Sequence, residues 1–260
     1  MPLREFKIGP AGEEVYPRFV ARLAEKLDDP KLDRNVVVRE ALALLYLGRT
    51  VDFDAMLADP DLPLATKTLI ASLDPRNGTL EAEYYKEIDL EKWAKVKPLL
   101  WFWQMFDHSP VGRNVRLGTQ MRFMLAQRVF RKCGKNVRIF HDVELSFGYN
   151  LTVGDGVTIH RNVLIDDRGE VVIGDDASIS DYANIYSHSH AVEDIHNVRL
   201  HKTEIGPRAR ATYHSVILSG VKVAQDAIVG SMGVASKPVE PGAIVGGIPA
   251  KPIGQKSFKP

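Results

Sequence analysis

The stretch IGPRARATYHSVILSGVKVAQDAIVGSMGVA, residues 205–235, decides the fold. An aliphatic residue returns every six positions, at Ile205, Ala211, Ile217, Val223, Val229 and Ala235. Four places after most of them stands a small or β-branched residue: Ala209, Ser215, Val221, Ala227 and Gly233. A period of six matches neither the 3.6-residue turn of an amphipathic helix nor the two-residue alternation of a half-buried strand. It fits a parallel β-helix in which each hexad makes one short strand and one turn, and three hexads make one coil of a triangular prism. The aliphatic residue then points inward and stacks on its equivalents in neighbouring coils. The small residue sits where the chain bends. Glycines in the turns are expected to supply positive φ.

Upstream, the register holds at Ile173, Ile179 and Ile185, and again at Val153, Ile159 and Ile165. Val157, Val163, Ala177 and Ala183 take the small position. About five coils are expected between Leu151 and Val245. Two interruptions break the pattern. DDRGEV adds two residues between Ile165 and Ile173, and YSHSHAVEDIHNVRLHKTE makes a long excursion between Ile185 and Ile205. Insertions in a solenoid become external loops, often on the binding face. Six of the eight histidines lie between His160 and His214, in or near these breaks, which is where a site is expected. A prism filled by its own side chains has no internal pocket, so the site is expected in a groove between prisms, and an oligomer with it. Imidazole, with an ordinary pKa of about 6.5, can take a proton from a hydroxyl at neutral pH.

Before Gly134 the period is helical. The spacing predicts helices over 13–29, ended by Pro30, and over 33–48, ended by Gly48. Short helices are expected near 53–57 and 63–73, a longer one over 81–106 broken at Pro98, and a last one over 118–132. The stripe Trp93, Trp101, Phe102, Trp103 and Phe106 reads as core or subunit interface. Arg122, Arg128, Arg131 and Lys132 read as a solvated face. The fold class is therefore α+β with segregated domains: a helical domain over 1–134, then the β-helix with its tail over 135–260. Nothing in the helical part identifies its task beyond assembly or acceptor binding.

Composition narrows the function. The 260 residues carry 34 Lys+Arg against 33 Asp+Glu, a net charge of +1, which excludes a basic nucleic-acid binder. One cysteine, Cys133, excludes a disulfide framework, a CxxC pair and a Cys-rich zinc site. No apolar run reaches membrane-spanning length. The N-terminal MPLREFKIGPAGEEVYP lacks the apolar core of a signal peptide, so a cytoplasmic protein is expected.

Three stretches carry a family resemblance: IDDRGEVVIGDDASIS (165–180), IYSHSHAVED (185–194) and VGSMGVASKPVEPGAIVGGIPAKPIG (229–254). Residues 136–256 resemble the left-handed β-helix, hexapeptide-repeat acyltransferases, and most of all the galactoside and maltose O-acetyltransferase group. The last stretch is the most specific, being similar to that family's closing segment, which binds coenzyme A. The resemblance implies a homotrimer, with sites between subunits, that moves an acetyl group from acetyl-CoA to a sugar or saccharide hydroxyl. No metal is needed for that chemistry. His190 would be the general base. Asp166 and Asp167 would face the acceptor. The register places His160 where the sugar acetyltransferases carry an acceptor-binding Asn, with Asn162 two residues on. The Tyr213 backbone amide would serve the oxyanion, and Ser231, Ser236, Lys237 and Lys251 would line the coenzyme.

Three other readings stand beside it. Serine acetyltransferases also place a helical domain before a hexapeptide prism, but here Asp-Asp-Arg stands where an Asp-His pair would be. The γ-class carbonic anhydrases bind zinc with three histidines between subunits, at a spacing that His160, His188 and His190 do not reproduce. The last is a non-catalytic scaffold, against which His190 and the closing segment argue.

Overall fold

The computed structural model describes residues 7–257, so residues 1–6 of the stretch read for a leader lie outside it. Six helices come first: α1 Pro10–Asp28, α2 Arg34–Leu47, α3 Phe53–Ala58, α4 Leu64–Ser72, α5 Leu90–His108 and α6 Val115–Val129. Their ends follow local chemistry. Asp33, Asp52, Asp89 and Asn114 each accept a first-turn backbone N–H, and Gly48 closes α2 at φ 70°. The expected break at Pro98 is absent. The chain instead breaks before Asp89, where a 3-10 turn, Glu81–Tyr84, precedes α5. Pro98 lies buried inside α5 and forgoes one helical hydrogen bond. The surrounding buried Trp93, Leu99, Phe102, Trp103 and Phe106 offset that loss and confirm the aromatic stripe as core.

The solvated-face reading fails at Arg122. This side chain is 1% exposed, and its guanidinium donates to Asp107 Oδ1 (2.7 Å) and to the Gly112 carbonyl (2.7 Å). Asp107 Oδ2 in turn accepts the Asp142 N–H at 2.8 Å, tying α5 to the first coil of the prism.

The prism is a left-handed parallel β-helix with three faces. One face stacks Lys132–Cys133, Leu151–Val153, Glu170–Ile173, Lys202–Ile205 and Lys222–Val223, all in parallel. The second runs from Arg138–Ile139 to Ala243–Gly246 and is closed by the antiparallel Lys251–Gln255. The third runs from Glu144–Leu145 to Val234–Ala235. All twelve residues read as inward-pointing from Val153 to Ala235 are at most 2% exposed. The series also starts one coil earlier than read, with Cys133, Ile139 and Leu145, so the prism has about six turns. Cys133 in this first coil is half-buried, and burial pushes its thiol up to about 11, which leaves no thiolate for chemistry at neutral pH.

The turns correct the glycine reading. Left-handed φ falls on the residue just before each small position. That place is held mostly by other residues, among them Asn136, Asp142, Asn162, Asp176, Tyr182 and His214, each with φ between 55° and 61°. Many glycines answer a different need. A β-carbon on Gly134 would sit 2.5 Å from Asp155 N, and one on Gly174 would sit 2.7 Å from Pro207 N. Gly134, Gly154, Gly174 and Gly206 form a column at one prism edge where successive coils approach backbone to backbone.

Candidate functional site

All the extra residues collect at one edge of the prism. In the first coils, residues pair with partners 20 positions on, as in Thr158 with Ser178. After the long excursion the offset is 18, as in Glu204 with Lys222. The two-residue surplus of each early coil and the whole excursion fall between the third face and the first, at 146–150, 166–169 and 187–201. Here the helical layer docks. The Tyr149 hydroxyl accepts the Asp89 N–H at 2.9 Å, and Phe147 packs edge-on against Tyr85 and Trp93.

The excursion is a hairpin, His188–His190 antiparallel to Val198–Leu200. Its base is pinned where it leaves and rejoins the coil. Ser187 Oγ donates to the Asp166 carbonyl (2.5 Å) and accepts the Gly169 N–H (2.8 Å), while the His201 N–H donates to the Ser187 carbonyl (2.8 Å). Beside the hairpin lies a groove of about 530 Å³. Tyr84, Tyr85, Lys86 and Glu87 wall one side, Arg168 lies at its base, and His190 and residues 195–198 form the other side.

His190 is exposed to this groove, and its Nδ1 lies 2.5 Å from the Ile195 carbonyl. A carbonyl oxygen only accepts, so Nδ1 carries the proton. The neutral ring then holds its lone pair on Nε2, as a general base requires. His188 has both nitrogens engaged. Nδ1 meets Asp166 Oδ2, and Nε2 lies 3.1 Å from Arg168 Nη1. Its lone pair already accepts from the guanidinium, so His188 is the poorer base of the two. The rings meet edge to face, with centroids 5.2 Å apart.

The acidic pair takes on different work from that implied. Asp167 is fully buried. Its carboxylate accepts the N–H groups of Phe147, Gly148 and Asn150 at 2.7, 2.9 and 3.1 Å, so it holds the preceding coil's turn and cannot face an acceptor. Burial pushes its pKa up to about 6 against those three donors. Asp166 is 3% exposed and serves His188, Ser146 Oγ (3.3 Å) and the Arg168 N–H (3.1 Å). An Asp–His pair therefore exists, but it is made across coils and not in the chain-adjacent form sought in the sequence.

His160 lies apart from this groove. Its ring stacks on Phe140, with centroids 5.2 Å apart, in a second depression of about 360 Å³ on another face. Burial holds its pKa below the ordinary range. Asn162 occupies a left-handed turn position at φ 56°, which accounts for an Asn there without an acceptor. Tyr213, Ser231, Ser236, Lys237 and Lys251 are all exposed, on coils four to six and the closing strand. Ser231 Oγ lies 3.3 Å from Thr212 Oγ1. Two exposed lysines, Lys237 and Lys251, suit the phosphates of a ligand.

Sequence reading missed Arg168, Glu87 and the pairing of His188. One signal was present: Arg168 and His188 are 20 residues apart, the coil offset, and so share a column. Nothing in the helical sequence marked Tyr84–Glu87. Among the described residues no three His, Cys, Asp or Glu side chains converge as metal ligands would, and no helix is long and apolar enough to cross a membrane.

No protein-family model matches the chain. It is 25% identical over 169 residues to the galactoside O-acetyltransferase of Escherichia coli K12, a match covering 63% of this chain and 78% of that enzyme. It is 33% identical over 109 residues to the serine acetyltransferase of Mycobacterium tuberculosis, covering 40% of this chain and 46% of that enzyme. The chain thus spans less than half the length of that second relative. Among solved structures, a galactoside acetyltransferase in complex with coenzyme A superposes with a TM-score of 0.57 at 23% identity, over 75% of this chain and 92% of that one.

Proposed function

From its likeness in sequence to a galactoside O-acetyltransferase and its hexapeptide-repeat fold, we propose that this chain is an acetyl-CoA-dependent O-acetyltransferase acting on a sugar or saccharide hydroxyl. The observation that carries the reading is the contact of His190 Nδ1 with the Ile195 carbonyl at the wall of the groove, which calls for the proton on Nδ1 and leaves Nε2 to act as the base. Nε2 takes the proton of the acceptor hydroxyl as its oxygen forms a bond to the thioester carbonyl carbon. The carbon–sulfur bond then breaks, and the imidazolium returns the proton to the leaving thiolate. Both substrates bound together make a covalent enzyme intermediate unnecessary, and proximity supplies much of the rate. The backbone amide of Tyr213 is the proposed donor to the oxyanion. Ser231, Ser236, Lys237 and Lys251 are the proposed coenzyme contacts, with the lysines at its phosphates.

The site is proposed to be completed in a homotrimer, because the prism interior is filled by its own side chains and His190 and the proposed coenzyme residues all lie on its outer surface. Size-exclusion chromatography with light scattering is expected to give three chain masses. A monomer of full activity would remove this element.

A screen of sugars, saccharides, sugar nucleotides and serine with acetyl-CoA, followed by thiol release, tests the acceptor. Turnover with hydroxyl sugars and none with serine is expected. The 33% identity to a serine acetyltransferase keeps serine in the screen, and turnover with serine alone would overturn the sugar assignment.

A further inference from the structure

We propose that Arg168 is a positioning residue that locks the acceptor wall supplied by the helical layer to the hairpin carrying His190. The inference rests on His190 being the base. Arg168 is 7% exposed, and each edge of its guanidinium is committed. Nε and Nη2 pair with the Glu87 carboxylate. Its carbon lies 3.8 Å from the centroid of the Tyr85 ring. Nη1 donates to His188 Nε2, and that fixes the His188 proton on Nδ1, facing Asp166. The His188 ring then abuts the His190 ring. One side chain thus holds Tyr85 and Glu87, which wall the groove, in register with the strand that presents the base. A planar fork with five donors can do this, whereas a lysine point charge cannot.

The charges around His190 make the arrangement testable. Lys86 and Glu87 come from the helical layer, Asp166 and Arg168 from the second coil, and His188 and His196 from the hairpin. Arg168 opposes the positive charge that forms on His190 as it accepts a proton, and Glu87 favours it.

The test measures kcat, both KM values and the pH dependence of kcat/KM for Arg168→Gln and Glu87→Gln, with His190→Ala alongside. Arg168→Gln is expected to lower acceptor kcat/KM about tenfold or more, since small misplacements are costly to an aligned reaction. The KM for acetyl-CoA is expected to stay within about twofold. The acid limb of the profile should move to higher pH in Arg168→Gln and to lower pH in Glu87→Gln. If Arg168→Gln does not fold, Glu87→Gln decides by the same readouts. Folded variants with unmoved acceptor KM and unmoved acid limb would overturn the proposal. Equal losses toward both substrates with a fixed limb would likewise overturn it, leaving a purely structural role. An inactive His190→Ala beside a fully active Arg168→Gln sinks this inference alone, and an active His190→Ala sinks the base assignment.

Discussion

His190→Ala should lower kcat for acetyl transfer by about two to four orders of magnitude, the range typical of a lost general base. Acetyl-CoA affinity should stay close to that of the parent, because the proposed coenzyme residues lie on later coils. The effect should fall on kcat and kcat/KM alike, since proton removal belongs to the transition state. Nδ1 is the nitrogen engaged with the protein, at the Ile195 carbonyl, so the substitution removes one loop hydrogen bond and leaves the prism intact. Steady-state kinetics and equilibrium coenzyme binding check both halves. An unchanged rate would take His190 out of the mechanism. His188→Ala gives the contrast. His188 touches Arg168 and Asp166 on its two nitrogens, so its loss should act through placement and cost less than the loss of His190.

Arg122→Ala should produce the largest loss of stability. Removing the guanidinium strands Asp107, which is 4% exposed, and unpairs the Gly112 carbonyl. Breaking a buried pair from one side typically costs about 3–5 kcal/mol. For a chain of this length that corresponds to a fall in Tm of roughly 6–20 °C. The deficit should depend on pH. Burial already holds the Asp107 carboxyl above its ordinary range, even against Arg122. A carboxyl whose folded pKa is raised contributes stability fully below its unfolded pKa, about 3.9, and loses it as pH rises through the folded value. Loss of Arg122 raises the folded value further. The variant should therefore be weakest near neutrality and approach the parent as pH falls toward the unfolded pKa. Thermal melts across pH on both proteins measure this. A deficit that grows on acidification would contradict the account. Replacing both partners with apolar residues, Asp107→Leu with Arg122→Met, should recover much of the loss, because no charge is then left buried.

The two halves of the chain were unequally legible. The prism was readable because each hexad repeats the same demand: an inward aliphatic residue at one place and a small one four positions on. Twelve positions from Val153 to Ala235 met that demand and all are buried. The first coil escaped because its inward places include Cys133, which does not look like an aliphatic core residue. The helices were readable in number and mostly in extent, since Asp33, Gly48 and Asp52 mark their ends chemically. The Pro98 expectation failed because tertiary burial of α5 outweighed a local rule. The candidate site was legible only as far as single residues announce themselves. His190 stands in a short motif. Glu87, Arg168 and His188 acquire meaning only when the coil offset and the docked helical layer bring them together. Asp167 shows the converse: a conspicuous acidic residue whose three backbone partners lie one coil back, turning an apparent ligand contact into a turn support.

The hairpin at 188–200 leaves and re-enters its coil at points already joined by a hydrogen bond between Ser187 and His201. The ladder below and above it closes without regard to what the hairpin contains. The cost of closing such an insertion grows only with the logarithm of its length, about 0.6 kcal/mol for each doubling. The segment proposed to face the acceptor can therefore vary in length at little cost to the ladder, with His188 its one tie to Asp166 and Arg168 of the coil beneath. Changes of chemistry can be drawn on this one edge while the folding pattern, set by the hexads, stays the same.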